Sequence, residues 1–177
     1  MNAFCKISSP LGVLTLAGND RHITGLWMED QKYFAATLDG EAAEKALPLF
    51  EEAKRWLSLY FQGLRPDFSL PLAPEGTPFR RAVLEKLCEI PYGKLTTYGA
   101  IAKKLEQETG KPVSARSVGG AVGHNPISIL IPCHRVVGQD RSLTGYAGGF
   151  QRKRFLLTLE KVPLAEDGSI ADPRILK

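Results

Sequence analysis

The sequence predicts a mixed α/β (α+β) chain in two parts: a small N-terminal antiparallel sheet with one helix, then a mostly helical region containing a helix-turn-helix. Three observations carry that expectation. Short apolar runs bounded by turn residues fill the first 28 positions, the pattern of a strand meander. Four prolines (Pro66, Pro71, Pro74, Pro78) and Gly76 then interrupt the chain and mark a connecting segment. Beyond Thr77, cap residues and helically spaced apolar residues recur. The expected domains are therefore 1–76, an α/β domain with its Pro-rich linker, and 77–177.

In order, residues 3–7, 13–17 and 23–28 read as strands separated by Ser8-Ser9-Pro10-Leu11-Gly12 and Asn19-Asp20. Residues 41–62 carry apolar side chains at helical spacing and stop at Gly63. Pro48 lies inside that window, so the helix is expected to begin near it, with proline in the first turn. Thr77-Pro78 caps a second helix whose apolar face includes Phe79, Val83, Leu84, Leu87 and, as a core residue, Cys88. Thr97 caps a short helix ending near Leu105, and Ser114 caps another that runs to Val122. Two short helices joined by a glycine-containing connection form a helix-turn-helix candidate, although this connection is longer than usual. The second helix reads Ala-Arg-Ser-Val-Gly-Gly-Ala-Val-Gly. Each glycine costs about 1 kcal/mol in a helix, so something must approach its backbone closely, either a packed helix or a DNA groove. Residues 151–161 form a final helix with Phe155, Leu156 and Leu159 inward and Arg152, Lys153 and Arg154 at its start. The tail after Pro163 is expected to be poorly ordered.

Composition excludes several classes. Three widely spaced cysteines (Cys5, Cys88, Cys133) without a CxxC fit neither a disulfide framework nor a zinc site, and they suit a reducing cytoplasm. No apolar run approaches a membrane span, and the N-terminus lacks the apolar core of a signal peptide. The net charge of +4 is uneven. Residues 1–76 hold 7 Lys/Arg against 10 Asp/Glu, and residues 77–177 hold 16 against 9. A basic second half is the footprint of a polyanion-binding surface, or simply a solvated basic face.

The stretch with chemistry in it is Ile129-Leu130-Ile131-Pro132-Cys133-His134-Arg135-Val136-Val137. The apolar run reads as a buried strand that Pro132 ends, placing Cys133 at its buried end. A buried cysteine is usually an inert small hydrophobe. Here an imidazole and a guanidinium follow at once, and a nearby base or positive charge is what turns a thiol into a nucleophile. Neighbouring residues of an extended chain point to opposite sides, so a bridging water between Cys133 and His134 is expected rather than direct contact.

IPCHRVV, preceded by RSVGGAVGHNPISIL and followed by LTGYAGGF and a helix with a late glutamate, resembles the O6-alkylguanine-DNA alkyltransferase family from about Thr77 to Lys161. The resemblance implies a ribonuclease H-like N-terminal domain and single-use DNA repair without a cofactor. An alkyl group would pass irreversibly from O6-alkylguanine, and from O4-alkylthymine, to Cys133 after base flipping. His134 would be the base, Glu160 its orienting carboxylate, Asn125 the residue fixing the turn (an Asx turn before Pro126 is the plain reading), and Tyr98 the hydrogen-bond donor to the extruded base (or a core tyrosine). The implied DNA- and base-contacting set is Arg116, Ser117, Gly119, Gly120, Ala121, Val122, Arg135, Tyr146, Ala147 and Gly148. Arg116 would fill the vacated stack, or is merely a basic first-turn residue. The partner implied is double-stranded DNA containing the lesion, met by a monomer away from membranes. Some relatives hold zinc in the first domain. Here Cys5 and His22 are the only cysteine before Cys88 and the only histidine before His124, so no zinc is expected. A lesion-binding module without chemistry and a cysteine hydrolase are the rival readings.

Overall fold

A computed structural model describes residues 2–172 and 175–176. The chain folds as two compact units, one comprising residues 1–75 and 126–130 and the other residues 76–125 and 131–177. Among the described residues no helix is long and apolar enough to cross a membrane.

The first unit is a four-stranded sheet in the order β3-β2-β1-β4, with a helix. β1 (Ala3–Ser9) and β2 (Gly12–Gly18) form an antiparallel hairpin in which Ser9 pairs with Gly12, and Gly12 takes φ 94° at the turn exit. β3 (Ile23–Met28) pairs antiparallel with β2 through an irregularity at Ala17/Gly18. Trp27 is fully buried and lies so close over Gly25 that a side-chain carbon there would overlap its ring. α1 (Pro48–Phe61) starts at the proline, because a residue without an N–H costs nothing in the first turn. It buries Phe50, Ala53, Leu57 and Tyr60 at helical spacing. The residues ahead of Pro48 supply β4 (Ala43–Glu44), a parallel edge pair with β1 that helical spacing had hidden. Residues 126–130 also belong here: Leu26 donates its N–H to the Pro126 carbonyl, and Ser128 returns one to the Leu26 carbonyl. Gln31, itself buried, accepts from the Met28 N–H and the Ser128 hydroxyl.

In the second unit, α2 (Pro78–Cys88) is capped by Thr77, α3 (Tyr98–Thr109) by Thr97, and α4 (Ala115–Gly123) by Ser114; each side-chain oxygen accepts an N–H of the first turn. Gly110 ends α3 in the left-handed conformation that glycine tolerates best. α3 and α4 pack together across the 110–114 connection, and α4 also packs on α2. The unit is not purely helical. β5 (Leu95–Thr97) pairs in parallel with β6 (Val136–Val137) and with β7 (Ile175–Leu176). α5 (Phe150–Leu159) completes it, and Leu95, Val137, Leu143, Leu157, Val162 and Ile170 form one apolar cluster.

Four expectations are corrected. Residues 129–131 are not a strand: Ile127 makes only an isolated bridge with Leu26, Ile129 adopts φ 70°, and Cys133–Arg135 coil into a 3-10 turn. The run turns out of the first unit instead of extending along a sheet. Cys88 is exposed, because Val83, Leu84 and Leu87 already define the inward face and Cys88 lies about 100° past Leu87. Phe155 is exposed while Lys153, Leu156 and Leu157 are buried, so the inward stripe of α5 is rotated from that expected. The tail is ordered as far as it is described: Leu164 bridges Ile170, which is buried. Residues 173, 174 and 177 lie outside the described residues.

Because both tryptophans (Trp27 and Trp56) lie in the first unit, their fluorescence reports its unfolding alone. Gly25→Ala should destabilise that unit by about 1–3 kcal/mol through overlap with Trp27, read as a lower urea midpoint; an unchanged midpoint would contradict the packing.

Candidate active site

The chain leaves the second unit after Asn125 and returns at Ile131. Asn125 ties the two ends together, its Nδ2 donating to the Ile131 carbonyl at 2.9 Å. The same amide reaches the Cys133 Sγ at 3.1 Å. Ile129, on the excursion, holds a left-handed backbone that β-branched residues rarely adopt, at a cost of about 1–2 kcal/mol. Pro132 then starts the 3-10 turn that carries Cys133, His134 and Arg135 inward; all three are buried. The expectation of a Cys–His separation imposed by an extended chain therefore loses its premise.

Glu160 is the group around which this turn is fixed. It sits at the C-cap of α5, where the helix dipole disfavours a carboxylate. Four donors offset that. His134 Nε2 lies 2.6 Å from Oε1, Arg135 reaches Oε2 through Nε at 2.9 Å and Oε1 through Nη2 at 3.0 Å, and the Gly93 N–H reaches Oε2 at 3.0 Å. Arg135 Nη1 donates to the Ile90 carbonyl, and its guanidinium lies 5.7 Å over the Tyr92 ring. Burial opposes ionisation of Glu160, but His134 and Arg135 overcome it and hold the carboxyl well below its usual range. Burial likewise pushes the His134 imidazole down, against the pull of Glu160. The direction that follows is a neutral imidazole at pH 7, since Arg135 already compensates the carboxylate. With Nε2–H given to Glu160, the ring's basic lone pair is on Nδ1.

The thiol is protonated at rest. Burial raises the Cys133 pKa, opposed by the Asn125 hydrogen bond and the charge of Lys153. Tyr98, first residue of α3, donates its hydroxyl to the Thr144 carbonyl at 2.9 Å, and burial raises its pKa to about 12. Its ring lies against Gly119, and its hydroxyl crowds Gly145, where φ is 79°. Tyr146 is buried with its hydroxyl lacking a hydrogen-bond partner among the described residues, while Ala147 and Gly148 are half-buried in the turn that Gly149 closes onto the Tyr146 carbonyl.

On α4, Arg116, Ser117 and Gly120 are exposed and Gly119 is half-buried, a stripe with open space over Gly120 and Gly123. Ala121 and Val122, expected in the same contact set, are instead buried with Val118, because positions i, i+3 and i+4 face inward together. Arg135, expected to face DNA, is turned onto Glu160. Lys153 was missed; its spacing from Leu156 and Leu157 was the available signal, and its charge concealed it. Gly93 was missed because a backbone donor leaves no trace in residue type. Among the described residues no group of three or more His, Cys, Asp or Glu side chains is placed to hold a metal.

Residues 78–162 match the model of the 6-O-methylguanine DNA methyltransferase DNA binding domain, and residues 4–74 that of the 6-O-methylguanine DNA methyltransferase ribonuclease-like domain. A methylated-DNA–protein-cysteine methyltransferase of Haemophilus influenzae is 43% identical over 171 residues, covering 96% of this chain and 92% of that protein. One from Methanosarcina barkeri is 46% identical over 156 residues, 88% of this chain and 94% of that protein. The crystal structure of Mycobacterium tuberculosis OGT in complex with DNA superposes with a TM-score of 0.80 at 40% identity, covering 96% of both chains.

Removing the charge of Glu160 should be felt as stability. Glu160→Gln leaves Arg135 buried without its counter-charge, at a cost of about 3 kcal/mol at neutral pH. The folded-state pKa of Glu160 is depressed, so its contribution is full above its ordinary value of 4.5 and is lost as pH falls through the folded value. The gap between wild type and variant in denaturant titrations should therefore be constant from pH 7 to about 5 and narrow below 4.5. A gap independent of pH would contradict the ionised assignment.

Proposed function

This chain belongs to the 6-O-methylguanine DNA methyltransferase family, and from that premise we propose that it repairs DNA by moving an alkyl group from guanine O6 irreversibly onto Cys133. The observation that carries the reading is the buried thiol hydrogen-bonded to Asn125 beside an imidazole that Glu160 fixes. In the proposed step the thiol proton passes to His134 Nδ1 through a water, and Glu160 stabilises the imidazolium. The thiolate attacks the alkyl carbon, forming the C–S bond as the C–O6 bond breaks and its electron pair moves to the guanine. A raised pKa keeps Tyr98 a hydrogen-bond donor, so base binding exchanges its Thr144 acceptor for the leaving base. The thioether is not a leaving group, so each molecule acts once.

The target oxygen is hidden in a duplex, so the nucleotide must leave the stack. The exposed stripe of α4 is the surface proposed to lie in the minor groove, with Arg116 filling the vacated space and Gly119 and Gly120 allowing close approach. Tyr146, Ala147 and Gly148 form the wall proposed to receive the base. The second unit thus holds both DNA and acceptor, O4-alkylthymine is a second substrate by the same chemistry, and the protein acts as a monomer. Three free thiols agree with a cytoplasmic location.

Incubation with a duplex carrying O6-methylguanine should add one methyl group per protein, mapped to Cys133 by peptide mass and absent in Cys133→Ser. Binding without a mass gain would replace this reading with lesion recognition; repeated turnover by unmodified protein would replace it with another enzyme class.

A further inference from the structure

Lys153 is the one fully buried lysine of the described residues, and its surroundings contain no carboxylate within ion-pair distance. It lies in the first turn of α5, where the helix dipole also opposes a cation. Its Nζ donates to the carbonyl of Val136 and, at 3.2 Å, to that of Thr144, and it stands 6.0 Å over the face of the Tyr146 ring. The Thr144 carbonyl is the same atom that accepts from Tyr98. One side chain therefore joins α5, β6 and the loop bearing Tyr146. A leucine or methionine would fill this site without the desolvation cost of a buried ammonium, so packing alone does not account for lysine here. Val136, whose carbonyl it holds, lies three residues after Cys133, and its charge acts on the Cys133 thiol and on the His134 imidazole.

We propose that Lys153 is the positioning cation of the site: it clamps the 144–146 loop to β6 and supplies the positive charge opposite which Cys133 ionises. The inference rests on Cys133 being the working thiol of the proposed function. The balance is simple. The thiol proton leaves for His134, the sulfur keeps its electron pair, and Lys153 keeps its own proton throughout. Its charge also discourages an imidazolium at rest, so His134 waits as a neutral base. Burial lowers the Lys153 pKa to about 8, opposed by Cys133, so the cation exists at neutral pH and is lost on moderate alkalinisation.

The test needs no DNA. Iodoacetamide modification of Cys133, followed by peptide mass across pH, reports thiolate formation. Lys153→Gln keeps a donor for the carbonyls and removes the charge; Lys153→Met keeps only the stem. Both should lower the rate about tenfold at pH 7, where Lys153 carries its charge, and the gap should close above about pH 8 as wild-type Lys153 loses its proton. A Lys153→Gln profile on that of wild type would overturn the charge role, leaving only the clamp. The second readout uses folded wild-type protein with 13C-labelled lysines. One Cε resonance, missing in Lys153→Gln, should titrate near pH 8, leaving the cation in place at neutral pH; a Lys153 already neutral at pH 7 would overturn the proposal. Wild-type protein that shows these couplings yet takes no methyl group from lesion DNA would refute the proposed function and leave the Lys153–Cys133 pairing standing.

Discussion

A carboxylate with almost no solvent contact is among the most expensive groups a protein can hold, and Glu160 is tolerated only because four donors converge on it. Those donors come from two places far apart in sequence, the turn after α2 that holds Gly93 and the 3-10 turn Cys133–Arg135, and Glu160 itself stands at a third, the end of α5. Each is thereby fixed against the others. Arg135 carries the charge balance, which frees His134 to remain neutral, and the Nε2 bond sets which ring nitrogen is basic. The tautomer that a base at this place needs is thus a consequence of a structural ion pair.

The same site restrains the thiol that the proposed step uses. Burial keeps Cys133 protonated and shielded, while Asn125 aims one N–H at its sulfur and so favours the thiolate once a base takes the proton. A thiol that can be used once gains from being unreactive until a substrate is seated. The amide tie from Asn125 to Ile131 belongs to this arrangement, since it holds the chain just ahead of the turn carrying the thiol.

Much of this was legible in the sequence. The capped helices, the hairpin and β3 follow from local rules: a Thr or Ser before a helical run, a proline in a first turn, apolar runs between turn residues. Cys133 and His134 stand out from the apolar run and its basic neighbours, Asn125, Tyr98 and Glu160 only from motif resemblance, and the structure brings them into one neighbourhood. What local rules could not supply was long-range. β4, β5 and β6 are two or three residues long and exist only because distant partners pair with them. The Ile129–Ile131 run has strand composition but spends itself in a crossing turn. Ala121 and Val122 share a motif with exposed neighbours, yet helical geometry turns them inward. Lys153 has the composition of a surface residue and the spacing of a core one, and spacing wins.

The central claim is that Glu160 fixes His134 as a neutral Nε2–H imidazole beside a protonated thiol. Nitrogen-15 NMR of histidine-labelled protein tests it directly, with His134 assigned by substitution. At pH 7 the account requires one protonated nitrogen at Nε2 and a pyridine-like Nδ1, with conversion to imidazolium only at a pH below that of an ordinary histidine. An imidazolium at pH 7, or a proton on Nδ1 with Nε2 bare, would contradict it.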